Sequence, residues 1–182
     1  MKAINTLNEL VRAEIDSCPD FVIERAALRV VREFCSKTHI WRVTLEIEIE
    51  DEQAELSPVN GEVVAILSVD NENESEIDDY EFYPPSTLEI EAEDGDEYKV
   101  LVALTPKLTE TTVPKWILER YETIILNGVL GRLFMQSNQE WSNPNISFVY
   151  KQMFQKGMAG ASIDIVKKFS NKSLRVKPRR FV

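Results

Sequence analysis

The groups in this chain that could carry chemistry are one histidine, two cysteines and 31 carboxylates, and their spacing argues against catalysis. His39 stands alone beside Trp41 at a helix-to-strand junction, and with no Cys-x-x-Cys present a zinc site has too few ligands. It reads as a structural or surface residue. Cys18 and Cys35 lie 17 residues apart in helical patterns. The opening MKAINTLNELVRAEID alternates apolar with charged residues and lacks the continuous apolar stretch of a signal peptide. Nothing in it sends the chain out of the cytoplasm, so both cysteines are expected to be reduced core residues. The six glycines are scattered, and no G-x-G-x-x-G, Walker A or G-x-S-x-G string offers a phosphate cradle or a nucleophile elbow. Residues 70–74 (DNENE) match a calcium loop only in composition, since the glycine and terminal glutamate of that motif are missing. No catalytic residue, cofactor or metal is expected.

The carboxylates are informative through their distribution. Residues 43–98 hold 20 Asp and Glu and no Lys or Arg, which leaves 11 acids against all 21 bases in the rest of a chain of net charge -10. After Asp164 come seven bases (Lys167, Lys168, Lys172, Arg175, Lys177, Arg179 and Arg180) and no acid. Middle and tail are electrostatic opposites. The acids fall at alternate strand positions and in one loop, where a solvated face accounts for them better than a buried acid–base pair does. Three uses of such a face stay open: a solubilising rim, a surface past which nucleic acid moves without sticking, and a mimic of DNA phosphates.

The elements that must present these charges change period along the chain. Ile4, Leu7, Leu10, Val11 and Ile15 have helical spacing that ends before Pro19. Ser17-Cys18-Pro19-Asp20 reads as an S-x-x-D cap for a second helix of about 18 residues carrying Phe21, Val22, Ala26, Leu28, Val31, Phe34 and Cys35. From Trp41 the period becomes two, with Val43, Leu45, Ile47 and Ile49 alternating with polar residues. Further strands are expected at 61–70, 86–92 and 98–106, with Asp94-Gly95-Asp96 as a hairpin turn between the last two and a short strand at 80–83. Helical spacing returns after Thr112 and Pro114 and is apolar almost all round, so that helix must be buried on more than one side. Its Gly128 and Gly131 suggest close approach of another backbone, from the same subunit or from a neighbour. Asn143 and Pro144 can open a last helix running to about Phe169. No apolar run approaches the ~20 residues of a membrane span.

The tail has no periodicity. Leu174, Val176, Phe181 and Val182 alternate loosely with Arg175, Lys177, Arg179 and Arg180, while Pro178 favours an extended backbone. An extended arm with apolar anchors suits a partner's sheet edge or groove. Non-specific binding of nucleic acid is its competitor.

Three stretches in order, CPDFVIERAALRVVREFCSKTHIWR, WILERYETIILNGVLGRLFMQSNQEWSNP and the closing LRVKPRRFV, resemble the head-to-tail adaptor (connector) proteins of tailed bacteriophages, the tail tubular protein A group. The resemblance spans both ends of the chain; the β region between them is the most divergent part. It implies an α+β fold: a helical core of about four helices from residues 1–40 and 111–169, an inserted small antiparallel β domain at 41–110, and an extended basic arm at 170–182. It implies further a homo-oligomeric ring, twelve copies in the family, located at the head-to-tail interface of the virion and in the host cytoplasm during assembly. The ring would sit between a portal protein and a tail tube or nozzle protein, around a channel that double-stranded DNA crosses without specific binding. Leu174, Arg175, Val176, Lys177, Pro178, Arg179, Arg180, Phe181 and Val182 would form the portal-binding arm, and Trp116, Tyr121, Gly128 and Gly131 the subunit interface. The acidity of the β region maps onto no role in that family. A DNA-mimic inhibitor of a DNA-binding enzyme is the alternative it leaves open.

Overall fold

The computed structural model describes residues 1–71, 75, 77–91 and 95–169, with the side chains of 167–169 left aside. The fold is α+β, with four α-helices and small antiparallel sheets among these residues. A two-residue strand β1 (Lys2–Ala3) leads through a 3-10 turn (Ile4–Leu7) into α1 (Asn8–Arg12). The expected first helix is thus split; Ile4, Leu7, Val11 and Ile15 of its expected buried face are in the core, while Leu10 is exposed.

α2 (Asp20–Thr38) buries Ile23, Ala26, Ala27, Val30, Val31, Phe34 and Cys35. The Ser17 cap does not form. Pro19 takes the cap position instead, in extended conformation, and its carbonyl accepts the N–H groups of Val22 at 3.0 Å and Ile23 at 3.2 Å. The proline explains the failure: it disfavours helical geometry at Cys18, which a Ser17 cap would require as the first helical residue. The helix ends at His39, which adopts a left-handed φ of 50° and donates its N–H to the Cys35 carbonyl at 2.9 Å.

Seven further strands follow: β2 (Arg42–Glu48), β3 (Gln53–Glu55), β4 (Glu62–Asn71), β5 (Tyr80–Tyr83), β6 (Thr87–Ile90), β7 (Glu97–Thr105) and β8 (Thr112–Val113). They make two three-stranded antiparallel sheets, ordered β2-β7-β4 and β3-β6-β5, while β8 pairs with β1. The expected hairpin between 86–92 and 98–106 is therefore wrong, since β6 and β7 belong to different sheets. Gly95, at φ 91°, donates to the Ile49 carbonyl at 3.0 Å, and Asp96 accepts from Ile49 at 3.1 Å, so the turn is tied to the end of β2. The glycine was read correctly as a turn residue; the strand it serves was not. Gly61 (φ 79°) permits another close approach, because a Cβ there would lie 2.8 Å from the Thr105 carbonyl oxygen and 3.1 Å from the Trp41 ring.

α3 (Lys115–Leu133) packs between α2 and α4 (Pro144–Phe169), which is why its sequence is apolar all round. Phe34 and Tyr121 meet at a ring distance of 5.1 Å, and Phe134 stacks on Tyr150 at 5.8 Å. Asn143 caps α4 as expected, its side-chain oxygen accepting the Ile146 N–H at 3.2 Å. One continuous cluster of buried side chains runs from the helices into both sheets. Arg32 ties the layers together, donating to the Pro106 carbonyl and to Glu62.

Candidate assembly surfaces

The groups that might have done chemistry have structural work. His39 closes α2, and its carbonyl accepts the Arg42 Nε–H at 3.0 Å. Cys18 and Cys35 are free and buried. Burial pushes the Cys35 thiol up to about 12. Burial also raises Cys18, against the opposing pull of Arg12 and with a further push from Asp20. Among the described residues no group of three or more His, Cys, Asp or Glu could hold a metal ion, and no helix is long and apolar enough to cross a membrane.

The four residues expected at a subunit interface separate into two groups. Trp116, 43% exposed, and the buried Tyr121 line one cleft of 210 Å³ together with Ile40, Arg42, Arg120, Asp164 and Ile165. The Arg120 guanidinium lies 5.6 Å from the Tyr121 ring centre, and burial lowers the Arg42 pKa and raises that of Tyr121. Gly128 and Gly131 instead face the chain's own helices. A Cβ on Gly128 would fall 2.6 Å from Val30 Cγ1 and 3.0 Å from Phe154 Cδ2, and one on Gly131 would fall 3.1 Å from the Lys151 backbone nitrogen. Ser147, fully buried, donates its hydroxyl to the Gly131 carbonyl at 2.6 Å and locks α3 to α4 there. Of the two origins open for the close approach, the chain's own packing fills the notch. The arm residues, Leu174 to Val182, lie outside the described residues.

Sequence reasoning missed two surfaces. The first is the outer side of α4, where Ile146, Val149, Met153 and Ile163 are exposed on the side away from the buried Ser147, Phe154, Met158, Ala161 and Ile165. With the exposed Gly160 they follow steps of three, four, seven and three residues, the spacing of a helix-packing seam. That signal was legible but was absorbed into the expectation of a core helix. The second is an arginine row on α2, Arg25 and Arg29, four residues apart and exposed, next to Phe21, which is 72% exposed. Phe21 belongs to the helical spacing expected there, but it points away from the side on which Ile23 of the same turn is buried.

The acids on β2, β3, β5 and β6 face outward. In β3 and β6 the residues Ala54, Leu88 and Ile90 are buried, which turns Glu55 and Glu89 to the other face. Glu81 of β5 stands directly opposite Glu89, and Glu48 of β2 directly opposite Glu97 of β7. No protein-family model matches the chain, and no curated protein matches it.

Proposed function

We propose that this chain is a structural head-to-tail adaptor of a tailed bacteriophage, without catalytic residues. Copies of it form a ring, twelve in the family it resembles, that joins a portal protein to the next tail protein and surrounds the channel through which DNA leaves. In this reading the helices of 1–40 and 111–169 form the core, 41–110 is an insertion, and 170–182 is the arm that reaches the portal.

The observation that carries the reading is the outer side of α4. A helix that leaves Ile146, Val149, Met153 and Ile163 exposed along one side, with Phe148 and Val166 also exposed, presents an apolar patch that calls for a partner. A ring of identical subunits supplies one through every copy. The basic segment follows this helix directly in sequence. The cleft at Trp116 lies beside Ile165, on the core-facing side of α4, and is a separate surface.

Removal of Ser173 to Val182 tests the partner. The truncated chain is expected to fold, since no described core residue lies beyond Ile165, and to lose portal binding in a pull-down. Portal binding undiminished by the truncation sinks the reading. Phe181→Ala is expected to weaken binding even at about 1 M salt, where the Debye length is only ~3 Å and cations alone no longer hold.

A further inference from the structure

We propose that a groove on the helical side of the chain receives the acidic outer face of the β3-β6-β5 sheet of a second copy. The groove, about 360 Å³, is lined by Phe21, Val22, Arg25 and Arg29 of α2, by Arg132 of α3 and by Gln136 just after it. Arg132 is engaged by Glu33 at 3.2 Å. Arg25 and Arg29 form no ion pair among the described residues, although they are like charges one helical turn apart and repel each other. The sheet face has the opposite problem. Glu81 and Glu89 are opposed across β5 and β6, a destabilising arrangement, and Glu55 shares their face with no lysine or arginine on any of the three strands.

Among the described residues, each surface therefore lacks the charge that the other carries in excess. Tyr83, exposed and donating its hydroxyl to Glu81, adds a flat ring against which an arginine can stack. Phosphates would also suit the arginines, but the complementary sheet is present on every copy of the chain and at the same concentration as the groove. The two faces are different patches, so the contact is heterologous and each copy offers both halves, which is what ring closure requires. The inference rests on the ring reading and names a second contact within it, separate from the α4 face.

The test is sedimentation of the full chain at about 0.01 M and about 1 M salt, where Debye lengths are ~30 Å and ~3 Å. Self-association is expected at low salt. Arg25→Glu with Arg29→Glu should weaken it at least about 100-fold, as should Glu81→Arg with Glu89→Arg, and a one-to-one mixture of the two variants should associate again. Recovery in the mixture also shows that both variants fold. Wild-type association that neither double variant disturbs overturns the inference and leaves the ring reading standing. A wild-type chain that stays monomeric at low salt overturns it as well, while the ring reading is then decided by portal binding alone. A groove that holds a short DNA duplex, with self-association intact in Arg25→Glu/Arg29→Glu, overturns it in favour of nucleic acid.

Discussion

The same substitution, glycine to alanine inside a helix, should change stability in opposite directions at two positions of this chain. Alanine is better than glycine in a helix interior by about 1 kcal/mol, so wherever a methyl group fits, the change stabilises. At Gly160 an added Cβ would have no heavy atom within 4 Å. Gly160→Ala should therefore gain about 1 kcal/mol, a rise in Tm of roughly 3 °C for a chain of this size. At Gly128 the methyl would meet Val30 Cγ1 at 2.6 Å and the Phe154 ring at 3.0 and 3.1 Å. Val30 is fully buried and β-branched, with little freedom to rotate away, and Phe154 is buried too. Overpacking of this kind costs about 1–3 kcal/mol, and the stiff neighbours put Gly128→Ala near the upper end.

After the helix-propensity gain is subtracted, Gly128→Ala should lose about 2 kcal/mol, a fall in Tm of roughly 6 °C. Thermal melts followed by circular dichroism, at a protein concentration where the chain is monomeric, measure both changes; urea midpoints with unchanged slopes exclude an altered unfolded state. A rise in Tm for Gly128→Ala equal to that for Gly160→Ala would refute the reasoning. The notch would then be empty within the subunit, and the glycine would serve a neighbour in the assembly.

Asn143→Ala should cost about 1 kcal/mol, or roughly 3 °C in Tm, because α4 loses the side-chain acceptor for the Ile146 N–H; Asn143→Asp should keep most of it. Cys35 should resist alkylation in the native chain. Its folded pKa of about 12 lies above the ordinary thiol value of 9.0, so the unfolded chain gives up the proton first. Stability tied to the neutral thiol is therefore complete below pH 9 and falls as pH rises toward 12, a decline that Cys35→Ala should lack. Equal alkaline slopes for wild type and Cys35→Ala would contradict this.

Periodicity carried most of the elements into view. The second helix, the Tyr80–Tyr83 strand, the glycine-bearing helix and the Asn143 cap were all readable, because each is decided by local spacing and by side chains acting on their own backbone. Pairing between strands was not readable in the same way. β6 and β7 are neighbours in sequence with a turn glycine between them, yet the long apolar β7 is claimed by β2 and β4 on its two edges, and β6 goes to a separate sheet. The three-residue strand β3 and the paired ends β1 and β8 are too short to show any period at all. At the candidate surfaces the sequence placed Trp116 and Tyr121 on one helix, and the fold brings them to one cleft with residues about 75 positions upstream and 45 downstream, a meeting that no local pattern encodes.

Charge followed a similar course. Read along the chain, the acids of 43–98 form one block; read across the sheets, they do not. Lys99 sits near the start of the central strand β7 with Glu46 directly opposite on β2 and Asp70 directly opposite on β4, so one base stands between two acids on the wet side of that sheet. The strands of the sheet β3-β6-β5 have no such residue, and Glu55, Glu81 and Glu89 form no ion pair among the described residues. If solubility alone explained the acids, both sheets would serve it equally and Lys99 would weaken the effect. A face kept free of cations in one sheet, in a chain whose Arg25 and Arg29 form no ion pair among the described residues, is better explained by contact between two such surfaces than by hydration.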